Sequence, residues 1–185
     1  IGYDDDYGRL LDFCGPLAEA GADWLVLHPR LQNERLRRTG RWDYIRRLRK
    51  DLEIPVVGNG DIRDFRDWRD RVTECEPAGI MLGREAVRRP WIFALIRGLE
   101  RDPRFRMTVD LAETAERALR LMEEHLPPEF HISRARRFFF YYCDNLSFAH
   151  HIRWKIQNAP DLKAVRNALA EYFEEVPGDA VVGGR

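Results

Sequence analysis

The sequence predicts a parallel α/β fold followed by a small all-helical domain, on three observations. Short apolar runs alternate with amphipathic helical stripes three times over in the first part of the chain. Each strand-and-helix unit takes roughly 25 to 30 residues, the spacing of βαβ units. After about residue 101 the strand signal stops and helical stripes take over. On this pattern a doubly wound sheet and a barrel are both open.

Taken in order, Leu10, Leu11, Cys14, Leu17 and Ala18 follow helical spacing between Asp5 and Ala20, and Gly21 stands where a helix ends. The run Asp23 to His28 reads as a strand buried on both faces. A polar loop, Pro29 to Arg41, follows it. Trp42, Ile45 and Leu48 mark the second helix, which leads into the strand Ile54 to Gly58. Asp64 is the expected N-cap of a helix carrying Phe65, Trp68 and Val72, and Ala78 to Gly83 is the third strand. Pro90 opens a helix through Trp91, Ile92, Leu95 and Ile96. Beyond Asp102-Pro103, one stripe runs through Leu111, Ala115, Leu119, Met122 and Leu126, another through Leu162, Val165, Leu169 and Phe173. The aromatic segment Phe138 to Tyr142 lies between them and is expected to be helical. The expected domains are therefore 1–101, α/β, and 102–176, helical, with a disordered tail at 177–185.

Composition excludes several classes. With 44% hydrophobic residues but no long apolar run, the chain is no membrane protein, and the 31 basic residues are matched by 31 acidic ones, so any nucleic-acid surface is local. Cys14, Cys75 and Cys143 are odd in number and lack C-x-x-C spacing, which argues against a disulfide framework and a zinc site and for a reducing, cytoplasmic home. No metal site is expected. The first residues carry neither an initiator methionine nor a signal core, as if cut from a longer protein.

In a parallel barrel the chemistry gathers at the C-terminal strand ends. Those ends here are His28, Asn59-Gly60-Asp61 and Gly83-Arg84. Glycine lets backbone amides approach an anion, and an arginine fork adds charge and paired hydrogen bonds, so together they describe a phosphate cradle. Each piece alone is more often a turn or a structural histidine. Their placement at the same end of three successive strands is what counts.

These residues also carry a resemblance. Ile54-Pro55-Val56-Val57-Gly58-Asn59-Gly60-Asp61-Ile62, then Gly79-Ile80-Met81-Leu82-Gly83-Arg84, then Arg89-Pro90-Trp91-Ile92-Phe93, resembles the signature of the tRNA-dihydrouridine synthases. Gly21 to Arg30 is similar to that family's strand ending in His-x-Arg, with Pro29 where glycine is common. The resemblance implies the C-terminal portion of a (β/α)8 TIM barrel followed by the helical domain. It implies an FMN enzyme that reduces the C5=C6 bond of uridines in tRNA, with NADPH as reductant. Asn59, Gly60 and Asp61 would line the flavin phosphate and ribityl region, Gly83 and Arg84 would hold the phosphate, and His28 would lie beside the flavin. The family's general-acid cysteine lies upstream of everything present here, so no catalytic residue is assigned. The N-terminal half of the barrel is the expected missing partner, and these 185 residues alone are expected to be inactive and to aggregate through unpaired sheet edges.

From Glu129 to Asn158, five cationic side chains face two acids. Basic surface interleaved with aromatics is how RNA backbones and unstacked bases are held. By residue type alone the aromatics are core and the arginines a solvated face. The resemblance makes this the tRNA-facing domain, with Arg134, Arg137, Arg153 and Lys155 as phosphate contacts. Two other classes fit part of the pattern: an FMN barrel oxidoreductase acting on a small molecule, and a non-catalytic RNA-binding module.

Overall fold

A computed structural model describes residues 1–34 and 38–184. Residues 35–37 of the expected polar loop and Arg185 of the expected tail lie outside them. The chain is mixed α/β and forms two compact units, Ile1–Gly83 and Arg84–Arg185.

The first unit alternates helix and strand: α1 (Tyr7–Glu19), β1 (Leu25–Leu27), α2 (Asp43–Asp51), β2 (Val56–Asn59), α3 (Phe65–Cys75) and β3 (Gly79–Met81). The strands pair in parallel in the order β1-β2-β3, with Leu27 opposite Gly58 and Gly58 opposite Ile80. Asp6 and Asp64 cap α1 and α3 by accepting the amide hydrogens of Arg9 and Asp67. Tyr7 and Cys14 of α1, Ile45 and Leu48 of α2 and Cys75 of α3 share one core with Trp42, Leu27 and Val56. Gly58 makes the sheet-to-helix contact possible, because a Cβ there would stand 2.4 Å from the Trp42 ring.

The strands are not buried on both faces as their apolar runs predict. Leu27 is buried, but its neighbour Val26 is 38% exposed and Met81 of β3 is 47% exposed. Successive strand residues point to opposite faces. The apolar run therefore fills the helix-covered face of this unit and leaves the other face open to solvent.

The second unit holds α4 (Arg84–Arg88), α5 (Ile92–Arg101), β4 (Met107–Asp110), α6 (Leu111–His125), α7 (Pro128–Tyr142), α8 (Ala149–Asn158), α9 (Leu162–Glu175) and β5 (Val181–Gly184). Its core runs through Leu111, Ala115 and Leu119 of α6, Phe139 and Tyr142 of α7, Ile152 and Ile156 of α8, and Val165 and Leu169 of α9. The expected helical stripes of α6 and α9 are thus present.

Three features depart from the sequence reading. The compact units divide after Gly83 and not after residue 101, and α4 packs with the helices. Trp91 meets Tyr142 edge-on at 6.4 Å, the Asn145 amide donates to the Arg88 carbonyl, and the Phe105 ring lies over Gly98. The second unit is not all helical, since β4 and β5 form an antiparallel ladder, Val109 opposite Val182. The tail expected to be disordered forms that ladder. It is fastened at Asp179, whose carboxylate accepts from the Ser147 amide at 2.6 Å, the Ser147 hydroxyl at 2.7 Å and the Tyr172 hydroxyl. Among the described residues no helix is long and apolar enough to cross a membrane, and no group of three or more His, Cys, Asp or Glu is placed to hold a metal ion.

Candidate functional site

The parallel register puts Asn59 at the C-terminal end of β2, and His28, Gly60 and Asp61 just beyond the ends of the adjacent strands β1 and β2. Gly60 adopts φ +110°, a left-handed conformation that side-chain-bearing residues rarely enter. A Cβ at Gly60 would meet the exposed His28 imidazole, 2.7 Å from Cδ2 and 2.8 Å from Nε2. The two strand ends are therefore in contact, imidazole against bare backbone. Asn59 closes β2, and its amide donates to the Met81 sulfur at 3.3 Å.

Asp61 does something the sequence reading did not anticipate. It follows Gly60 in a second left-handed conformation, φ 60°. Its carboxylate accepts from the Arg30 guanidinium and, at 2.6 Å, from the Gly40 amide. Burial pushes this carboxyl up, but the Gly40 amide, the Arg30 hydrogen bond and the Arg30 charge outweigh it and hold the carboxyl below the usual carboxylate range. Arg30 is itself only 7% exposed. Asp61 thus ties down both ends of the segment after β1. A second fork fixes the same segment: both terminal nitrogens of Arg41 donate to Glu34 at 2.7 Å, drawing the Glu34 carboxyl down to about 2. Asp5 also bonds Arg41, and Tyr44 donates to Asp5 at 2.8 Å. The sequence does not show that Arg30 and Gly40 are the partners of Asp61, since nothing in local spacing pairs them with a residue more than twenty positions away.

At the end of β3, Gly83 is exposed, and a Cβ built on it meets nothing within 4 Å. Arg84 follows as the first residue of α4 and of the second unit, also exposed.

In the second unit the four expected RNA contacts separate into two kinds. Arg134 and Arg137 are exposed on α7, and among the described residues no carboxylate pairs with either. Arg153 is bound to Asp144, and Lys155 to Glu171 at 3.1 Å, so both already have acidic partners. A shallow cleft of about 290 Å³ lies between α7 and α8, lined by Ser133, Arg136, Arg137, Phe140, Tyr141 and Gln157. Of the aromatic segment only Phe139 and Tyr142 are buried, whereas Phe140 is 50% exposed. The signal for this face was in the sequence: Phe130, Ser133, Arg134, Arg137, Phe140 and Tyr141 recur at spacings of three, four and seven, one stripe of a helix.

All three cysteines are buried. Burial pushes each thiol up, that of Cys143 to about 12. None is an accessible acid or nucleophile.

The family description "Dihydrouridine synthase (Dus)" matches residues 1–177. The chain belongs to the dihydrouridine synthase family. Among its curated relatives, the tRNA-dihydrouridine(16) synthase of Neisseria meningitidis serogroup B is 29% identical over 180 residues, 95% of this chain and 54% of that protein. Probable tRNA-dihydrouridine synthases of Mycobacterium leprae and Mycobacterium tuberculosis are 32% and 31% identical, over 92% and 95% of this chain but 42% and 43% of their own lengths. The chain thus spans about half the length of the curated relatives it matches.

Proposed function

We propose that this chain is the cofactor-phosphate side and the RNA-facing part of a cytoplasmic tRNA-dihydrouridine synthase, an FMN enzyme that draws reducing equivalents from NADPH. The observation that carries the cofactor reading is the bare strand end at Gly60, held left-handed against His28, with Gly83 open at the end of β3. Backbone free of side chains is what an approaching phosphate or ribityl chain requires.

The residues fit FMN in a specific division of labour. Gly60 and Gly83 give backbone access, and Asn59 offers a side-chain amide. His28 presents an exposed imidazole beside Gly60. Asp61 acts one step back, fixing the segment after β1 through Arg30 and Gly40. When bound, FMN supplies the hydride that reduces the uracil ring. The buried, high-pKa cysteines assign no residue of this chain to deliver the accompanying proton to C5. The open face of the sheet, with Val26 and Met81, is what the remaining strands of a barrel would cover. By themselves these 185 residues are then inactive.

The test is reconstitution with the full-length gene product. Purified protein should carry flavin, and with NADPH it should convert uridine to dihydrouridine in tRNA from a deletion strain, read by nucleoside mass spectrometry. Bound flavin without tRNA modification would replace this reading with a small-molecule oxidoreductase. RNA binding without flavin would replace it with a non-catalytic module.

A further inference from the structure

The exposed stripe of α7 has a composition that neither a solvated helix face nor a simple phosphate grip requires. A phosphate grip needs cations only, yet here the exposed cations Arg134 and Arg137 alternate with Phe130, Phe140 and Tyr141 on one side of the helix, while Phe139 and Tyr142 fill the core from the other. Exposed single apolar residues are ordinary, but aligned aromatics beside cations that pair with no carboxylate among the described residues, Arg134 lying over the Phe130 ring, are not what solubility selects.

The geometry at the C-terminal end of the stripe is that of a corner. The Phe140 and Tyr141 rings stand 5.2 Å apart at 86°, so a flat group stacked on one ring meets the other edge-on. The Arg153 guanidinium, tethered by Asp144, lies 5.2 Å from the Phe140 centroid and steadies that ring. Gln157 faces the same cleft; its amide nitrogen donates to the Arg136 carbonyl at 2.8 Å, which orients the side chain and leaves its oxygen as an acceptor. Arg137 lines the cleft with no carboxylate partner among the described residues. An aromatic corner, an oriented acceptor and an uncommitted cation within one cleft of about 290 Å³ match the parts of a single nucleotide: flat base, base-edge donor and phosphate.

We infer that the α7–α8 cleft takes one unstacked nucleotide of the RNA, its base against Phe140 and Tyr141 and its phosphate on Arg137. This rests on the RNA reading above and adds that the domain distinguishes unpaired from paired RNA at this point. A paired base cannot lie on the corner without leaving its stack, so duplex RNA would use Arg134 and Arg137 alone.

The experiment measures fluorescence anisotropy of the full-length protein with labelled single-stranded and duplex RNA of equal length, at several salt concentrations. Phe140→Ala should weaken single-stranded binding roughly tenfold, within the range for loss of one base–aromatic stack, and leave duplex binding unchanged. Phe140→Trp should restore it and Phe140→Leu should not, which separates stacking from packing. Arg137→Gln should weaken both forms and lower the salt slope by about one. If Phe140→Ala binds single strands as wild type does while Arg137→Gln weakens both, the RNA reading stands and the stacking inference is wrong. If the wild-type protein binds neither form, the RNA reading fails and the inference with it.

Discussion

Replacing Asp61 by Asn separates the two roles this residue could have, lining the flavin or bracing the segment after β1. The exchange keeps shape, tolerance of the left-handed backbone and an acceptor for the Gly40 amide, and removes only the charge. What remains is the Arg30 guanidinium, its side chain 5% exposed, without the Asp61 carboxylate. Breaking a buried pair in this way costs about 3–5 kcal/mol, and the partial exposure of Asp61, at 20%, places the expectation near the lower figure. For a chain of this size about 3 kcal/mol lowers the melting temperature by roughly 6–12 °C. The sign with pH follows from the depressed carboxyl: the stabilisation is complete above the unfolded value of about 3.9 and disappears as pH falls through the lower folded value. The measurement is a thermal melt of wild type and D61N, flavin-free and flavin-loaded, at pH 7 and at successively lower pH below about 3.9, with hydrogen exchange at the Gly40 amide. The flavin-free melts should differ at pH 7 and converge in acid, and the Gly40 amide should exchange faster in the variant. Equal flavin-free melts with unchanged Gly40 exchange would refute the bracing role, and a difference confined to the flavin-loaded protein would return Asp61 to the ligand.

Gly60→Ala must pay for a positive φ, about 1–2 kcal/mol, and for displacing His28; flavin affinity measured by fluorescence titration should fall at least tenfold, and an unchanged affinity would remove Gly60 from the site. Asp179→Ala removes the acceptor for three donors on Ser147 and Tyr172, so hydrogen exchange in 181–184 should rise while α6 and α9 keep their protection; unaltered exchange in the tail would show that strand pairing alone holds it. Tyr142→Phe strips the buried hydroxyl from the Leu111 carbonyl at 2.7 Å and should cost about 1 kcal/mol in denaturant melts, an increase in stability counting against the bond.

Much of the helical half was legible in the sequence because apolar spacing at three and four residues reports directly on which side of a helix is buried. Leu111, Ala115 and Leu119 or Val165 and Leu169 need no knowledge of their partners to be read as core. The same holds for Asp64, whose capping bond reaches only to Asp67. The strands were legible as strands but not in their exposure: a three- or four-residue apolar run does not say whether a second layer covers it, and here Val26 and Met81 are open. The pair β4 and β5 was not legible at all, because neither has an apolar alternation strong enough to stand out and each exists by pairing with a segment about seventy positions away.

The candidate site divides along the same line. By itself the sequence determined that glycine, asparagine and arginine follow successive strands, and that the chain belongs among the dihydrouridine synthases, because both rest on residue type and local order. Only tertiary structure decided what those residues touch. Register brings Gly60 against His28; long-range contacts give Asp61 bonds to Arg30 and Gly40; and acidic neighbours on other turns and helices pair with Arg153 and Lys155, whereas no carboxylate among the described residues pairs with Arg137. The physical reason is range. Helix periodicity and capping act within a few residues, whereas ion pairing and the contacts of a strand end join positions that only the folded chain brings together.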